Sequence, residues 1–342
     1  MKAAVITGEG TPVAQHVEVV DDWGECLPGH HDVVVRTEAS ALNHLDLWVG
    51  MGMPGLGLEY PRVSGSDGCG IVTAVGERVD DSWVGKRVLL NAAVTQPDTT
   101  CAGPSTIPDD IRMIGEHDNG TNAEYFKAPV SNVLEVGDVD PVEAAAFGLA
   151  HLTAWRMLIT RAQLQKGQTV LITGIGGGAA LASFAISQHF GCKTIVTSRH
   201  QWKLDRAAAL GATETILDEG EDWSRRVRSM TNKRGVHVCV DSVGGPLHLP
   251  CIKSLARGGS LVTCGCTAGA SPKTDLARIF WNQLSIIGST MGDMDEFRAI
   301  IALHKDGMKP VIDSVYDAQH ASEAFARLES GEQFGKVVLK WT

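Results

Sequence analysis

Two stretches of the chain carry residue types at spacings that could do chemistry. The first is "ALNHLDLW", Ala41 to Trp48, in which His44 and Asp46 stand two apart. The stretch reads as the end of a strand, so both side chains leave the same face and offer half of a metal site. The second is "TGIGGGAA", Thr173 to Ala180. Gly174, Gly176 and Ala179 satisfy a G-x-G-x-x-A spacing, Gly174, Gly177 and Ala180 give a shifted one, and Gly178 completes the run. Glycines there let the chain turn tightly and let a pyrophosphate approach the N–H groups at a helix N-terminus. The motif means a dinucleotide site only where it joins a strand to a helix inside a βα series.

The choice of dinucleotide is readable at the end of the next strand, where an Asp or Glu would bind the ribose 2′-OH of NAD. This chain has "VTSRHQWK" there. Ser198 is small and donates a hydrogen bond, while Arg199 and Lys203 can neutralise a 2′-phosphate, Arg199 in a fork. NADP(H) is the expected cofactor.

The elements that position these stretches fall into two patterns. "KAAVIT", "DVVVRTEAS", "CGIVTAVG", "KRVLL" and "AEYFKAPV" are short strands between Gly, Pro and Asp turns, the pattern of a mostly antiparallel, barrel-like unit. An irregular lobe from Ala92 to Gly120 interrupts them. In "DPVEAAAFGLAHLTAWRMLITRAQL" the apolar period changes to about 3.6, with Pro141 and Glu143 as helix-start signals. Apolar strands then alternate with helices from "TVLITG" to "LSIIGST", which predicts a doubly wound parallel sheet covered on both faces. The fold class is therefore α/β, with residues 150–290 as the parallel-sheet domain and 1–149 together with 291–342 as the barrel-like one.

Composition bounds the function. A chain of 342 residues suits two domains, and 44% hydrophobic with 20% charged residues is the balance of a globular protein. A formal charge of -10 with scattered Lys and Arg argues against nucleic acid as a partner. No apolar run reaches the roughly 18 residues of a membrane span and "MKAAVITGEG" is strand-like, so a cytoplasmic protein is expected. The eight cysteines form no C-x-x-C pair, and most lie in apolar runs as small hydrophobes.

Across nearly its whole length the chain resembles the medium-chain dehydrogenase/reductase superfamily. The resemblance is carried by "LNHLDLW", "VSGSDGCGIVTAVGERVDDSWVGKRV", "GEHDNGTNAEYFKAP", the Gly-rich loop, "VDSVGG", "LSIIGSTMG" and "GKVVL". It implies a Rossmann domain with a six-stranded parallel sheet and a GroES-like catalytic domain. Zinc alcohol dehydrogenases of the superfamily have Cys, a His-Glu pair and Cys where this chain has Asn43, Ser66–Asp67 and Leu149. These side chains supply neither thiolate nor imidazole. The lobe that holds a structural zinc in those enzymes keeps one thiol here, Cys101. The resemblance is therefore to the zinc-independent quinone oxidoreductases and enone reductases, with alcohol or aldehyde dehydrogenation and non-catalytic NADPH binding as alternatives.

In that likeness a small-molecule acceptor takes hydride from the nicotinamide. Asn43 is the expected hydrogen-bond donor to the developing oxyanion, His44 lies near the pyrophosphate, Asp46 organises the site, and Tyr60 is a candidate proton source. Thr153, Cys264 and Gly265 fall near the nicotinamide, Ser289 near its carboxamide, and Lys336 near the adenine-ribose end. Trp48, Met51 and Met53 are candidates for an apolar pocket wall. The strand "LSIIGST" comes last in the sheet, and its uncovered edge implies a homodimer.

Overall fold

The structure, a computed structural model, describes residues 1–53, 55–95 and 111–341. Cys101 and most of the irregular lobe lie outside the described residues. The chain divides into two compact units, Met1–Leu149 with Asp293–Thr342, and Ala150–Gly292.

In the second unit the described residues form a six-stranded, wholly parallel sheet. Its strands are Thr169–Ile172, Lys193–Ser198, Glu214–Leu217, Val236–Asp241, Leu255–Thr263 and Ser285–Gly288. Their spatial order is third, second, first, fourth, fifth, sixth. This is the Rossmann order, whose reversal at the first strand leaves a crevice at the strand C-termini. Leu171, Ile195, Ile216, Cys239 and Leu261, one from each of the first five strands, share a core cluster with Trp223, Val227, Cys251 and Ile252. Burial pushes the Cys251 thiol far up, as suits a packing residue rather than a reactive one.

Among the described residues the sixth strand, Ser285–Gly288, pairs on one side only, with the fifth. Beside it in sequence, the helix Leu276–Asn282 leaves Leu276, Phe280 and Trp281 about 70% exposed, and Ile286 on the strand is 42% exposed.

The first unit is built on the ten-residue strand Asp32–Ala41. Gly68–Val75 runs antiparallel along one edge of it. The other edge is shared: Tyr125–Pro129 pairs with its first half, and Lys336–Lys340 with its last three residues. Ile312–Asp317 adds in parallel to Lys336–Lys340, so the sheet is mostly, not wholly, antiparallel. Two registers matter for the site. Val338 stands opposite Ala41, which brings Lys336 to the level of Asn43. Ser40 stands opposite Gly68, and the Ala41 N–H donates to the carbonyl of Asp67. Three residues far apart in sequence thus meet at the end of one strand.

Candidate active site

The strand stops at Ala41, and Asn43 starts a helix, His44–Met51. This corrects the strand reading of "ALNHLDLW". Asn43 is the N-cap, its backbone extended at φ -128°, ψ 162°, and Asp46 closes the capping box by accepting from the Asn43 N–H at 2.7 Å. Residues two apart on a helix do not share a face. His44 is accordingly exposed and Asp46 buried, so the pair is not half of a metal site. Among the described residues no group of three or more His, Cys, Asp or Glu side chains could hold a metal ion.

Asp46 belongs instead to a buried polar network. Its second oxygen accepts from Asn122 Nδ2 at 3.4 Å, and that amide also donates to Ser64 Oγ at 3.1 Å. Ser40 Oγ donates to Asn122 Oδ1 at 2.8 Å and accepts from Trp341 Nε1 at 3.0 Å. Burial pushes the Asp46 carboxyl up to about 6, against the opposing pull of the Asn43 N–H, the Ser64 hydroxyl and the Lys336 charge.

One step further in, Asp67 is 0% exposed, and both of its carboxylate oxygens accept hydrogen bonds. Oδ1 accepts from the Leu149 N–H at 2.6 Å, and Oδ2 from Asn43 Nδ2 and Lys336 Nζ, each at 2.9 Å. The Leu149 contact needs Gly148, since a Cβ there would lie 2.6 Å from Asp67 Oδ1. Lys336 Nζ also donates to Asn43 Oδ1 at 2.6 Å. Lys336 therefore lies beside Asn43, its ammonium held by Asn43 and Asp67. Sequence alone does not bring Asp67 to Lys336, because the two lie 269 positions apart.

The remaining expectations around Asn43 divide. Tyr60 is not placed as a proton donor: its hydroxyl donates to the Val49 carbonyl at 2.5 Å and its ring packs on the core. Met53 packs on the same core, whereas Trp48 is half-buried and Met51 39% exposed. His44 is exposed by surface area yet crowded by protein atoms, and desolvation, then the Lys336 charge, hold its imidazole below the ordinary value. Glu116 and His117 lie 3.4 Å apart, and His117 Nδ1 accepts from the Met113 N–H at 3.1 Å, so they brace the segment that follows Met113.

In the second unit the Gly-rich loop has the conformation a pyrophosphate requires. Gly174 and Gly176 take φ of +62° and +126°, a region that disfavours a side chain. Gly177 is the N-cap of the helix Gly178–His189 and offers no side-chain cap, and a Cβ on it would meet nothing within 4 Å. The positive end of the helix dipole, at Gly178 and Ala179, thus follows a cap with no side chain and room beside it. Asp241 fixes this loop, accepting from Thr173 Oγ1 at 2.6 Å and from the N–H groups of Val243 and Gly244 at 3.0 and 3.1 Å.

At the end of the second strand Ser198 is buried and accepts from the His200 N–H at 3.1 Å, and Arg199 is exposed. Lys203 is 5% exposed with Nζ 5.3 Å from the Trp202 ring centre, so Arg199 is the open cation of the two. Thr153 is buried on the helix Pro141–Trp155. Cys264 and Gly265 follow the fifth strand, and burial raises the Cys264 thiol to about 12. After the sixth strand, Ser289 Oγ is buried with no hydrogen-bond partner among the described residues. An orphan hydroxyl and a bare helix N-terminus both fit a dinucleotide.

A parallel sheet opened by such a loop, in a chain with a mostly antiparallel sheet unit, defines a pyridine-nucleotide oxidoreductase. Comparison agrees. Residues 29–138 match the alcohol dehydrogenase GroES-like domain, and residues 174–306 the zinc-binding dehydrogenase domain. A zinc-type alcohol dehydrogenase-like protein of Schizosaccharomyces pombe is 32% identical over 320 residues, 90% of each chain. Human quinone oxidoreductase is 24% identical over 324 residues, covering 92% of this chain and 90% of that one. A crystal structure of an NAD-dependent alcohol dehydrogenase superposes with a TM-score of 0.92 at 35% identity, over 99% of both chains. The chain belongs to the medium-chain dehydrogenase/reductase superfamily and is an oxidoreductase. No helix of the described residues is long and apolar enough to cross a membrane.

Proposed function

We propose that the protein is a zinc-independent, NADP(H)-dependent reductase of quinones or activated C=C bonds. The observation that carries this reading is the Lys336 ammonium, bound between Asn43 and Asp67. By resemblance these are positions of the zinc-binding residues and their neighbour. A fixed cation there repels a second one, and Asn43, Ser66 and Leu149 are not zinc ligands. Ser66 Oγ is in any case spent on the Ile114 carbonyl at 2.9 Å.

Without a Lewis acid a simple carbonyl lacks several kcal/mol of charge stabilisation, on the order of what a bound metal supplies. A conjugated acceptor needs less, because its charge spreads from the attacked carbon to a remote oxygen. Reduced nicotinamide would supply the hydride. The protein's part is to present Gly174, Gly176 and Gly177 to the pyrophosphate and Arg199 to the 2′-phosphate, and to fix polar groups around Asn43. Reduction of para-benzoquinone or cyclohexenone should proceed with NADPH in protein carrying near-zero zinc by elemental mass spectrometry. Arg199→Asp should remove the preference for NADPH over NADH. One zinc per chain with turnover of simple aldehydes would overturn this reading in favour of an alcohol dehydrogenase, and nucleotide binding with no turnover would favour a non-catalytic binder.

The same proposal includes a homodimer. Among the described residues the strand Ser285–Gly288 is paired on one side only, and Leu276, Phe280, Trp281 and Ile286, on it or shortly before it in sequence, are exposed apolar side chains. A second copy of the chain, added edge to edge about a two-fold axis, satisfies both. Light scattering at micromolar concentration should give twice the chain mass. Ile286→Lys should give one chain mass, and a monomeric wild type would refute the proposal.

A further inference from the structure

We infer that Arg62 grips a carboxylate on the acceptor, which makes the substrates anionic enones or quinones; this rests on the reading of the chain as a reductase of such acceptors. Arg62 stands on the short strand Arg62–Val63, which pairs antiparallel with Ala3–Ile6. It is 8% exposed. Arginine keeps its proton in proteins, so this is a buried cation, and buried charges are almost always paired. Its guanidinium has five N–H donors. Only one is spent, from Nη2 to the Glu116 carbonyl. Nε is buried with no hydrogen-bond partner. Nη1 has no partner among the described residues either, but it is not buried, so ligands reach the guanidinium along that edge.

The acidic groups nearby do not take the place of an anion. Tyr60, Glu116, Asp118 and Glu59 act on Arg62 through charge alone, with no hydrogen bond to it from their side chains. Asp118 is committed to another cation, accepting from Arg112 Nη2 at 2.7 Å and from its Nε at 3.3 Å. Glu116 faces His117 at 3.4 Å, and burial pushes its carboxyl up, away from the charged form. Glu59 lies in solvent. The Tyr60 hydroxyl donates to the Val49 carbonyl, and burial holds it un-ionised. The guanidinium is thus left as a buried donor without an acceptor, a state that a ligand oxygen relieves.

Charge selects a carboxylate over a phosphate. One guanidinium is neutralised by one negative charge, and a dianion would add net repulsion from the acidic groups around it. The planar fork of arginine also matches the two oxygens of a carboxylate. Position ties this anion site to the cluster at Asn43. The segment that begins at Arg62 continues through Ser64, which accepts from Asn122, to Asp67, which accepts from Asn43 Nδ2. Five residues span at most about 17 Å of extended chain, so an acceptor of ordinary metabolite length reaches from one end to the other.

The test uses two enones that carry a carboxylate three or five methylenes beyond the C=C bond, each beside its methyl ester. With NADPH and the wild type, kcat/KM for at least one acid should exceed that for its ester by about tenfold or more, chiefly through KM. Arg62→Met fills the space without charge, and Arg62→Gln keeps a donor for the Glu116 carbonyl. In either, once circular dichroism shows it folded, the acid should lose about 100-fold in kcat/KM and fall to the level of its ester. NADPH affinity, read by fluorescence titration, should stay within about twofold, since the Gly-rich loop is untouched. A second readout needs no turnover: in calorimetry the saturated keto acid should bind the wild type about tenfold tighter than its ester, and the variants should not tell them apart. Acid and ester treated alike by the wild type overturn the inference, as does a variant that keeps the preference. A large loss of NADPH affinity in the variants assigns the guanidinium to a cofactor phosphate and overturns it as well. If the wild type reduces none of the enones, the proposed function fails, and the calorimetry alone decides whether Arg62 takes a carboxylate.

Discussion

Replacing Asp67 by alanine is expected to lower the unfolding free energy by about 3–5 kcal/mol, the range for breaking one side of a buried ion pair. The loss has two sources. The Lys336 ammonium, at 5% exposure, would be left in a low-dielectric site with only the Asn43 carbonyl oxygen as partner. The N–H groups of Leu149 and Asn43 Nδ2 would also lose their acceptors. The companion change should separate these. Adding Lys336→Met to Asp67→Ala removes the stranded cation, so the double variant should be more stable than Asp67→Ala alone although it carries one more substitution. Urea denaturation of the four proteins of this cycle measures the coupling. A loss within about 1 kcal/mol for Asp67→Ala would mean that the pair contributes no more than an exposed one.

A second large effect lies in the pH dependence of stability. Asp46 has a carboxyl pushed from 3.8 to about 6 by burial, so the folded chain holds this proton more tightly than the unfolded one. Raising the pH between these values draws the proton off the unfolded chain first, and stability falls across the window. The group costs nothing below both values and its full amount above about 6, roughly 3 kcal/mol at 1.36 kcal/mol per unit. Asp46→Asn keeps an oxygen for the Asn43 N–H and has nothing to titrate. The variant should lose the fall in stability between about pH 4 and pH 7 that this carboxyl imposes on the wild type. Parallel stability curves for the two proteins would show that Asp46 ionises as easily folded as unfolded.

Much of the architecture was legible because it is written in local patterns. The period change near Pro141, the apolar strands from "TVLITG" onward and the Gly-rich turn are features of neighbouring residues, and each became the element expected of it. The helix at His44 departs from the strand pattern for a physical reason: Asn43 ends the strand by capping, and a cap needs only one residue to overrule an alternation that runs up to Ala41. The site was half legible. Asn43, His44 and Asp46 are contiguous and stood out, but what gives Asn43 its orientation is Lys336, which reaches it through sheet register across 293 positions. Asn122 and Ser64 were invisible for the same cause. Polar residues scattered through loops carry no period, and only the fold shows that they share hydrogen bonds.

The pairing of Lys336–Lys340 with the end of Asp32–Ala41 sets an order of events during synthesis. Ala150–Gly292 is continuous in sequence, so it can fold as soon as it leaves the ribosome. The other unit cannot close, because the edge at Ala39–Ala41 waits for a strand made after all of Ala150–Gly292. Until then Asn43 and Asp67 have no cation, and a stretch of strand edge stays open to chaperones or to wrong pairing. The Rossmann unit is thus the first part of a newborn chain able to close, and the cluster of Asn43, Asp67 and Lys336 is the last part to form.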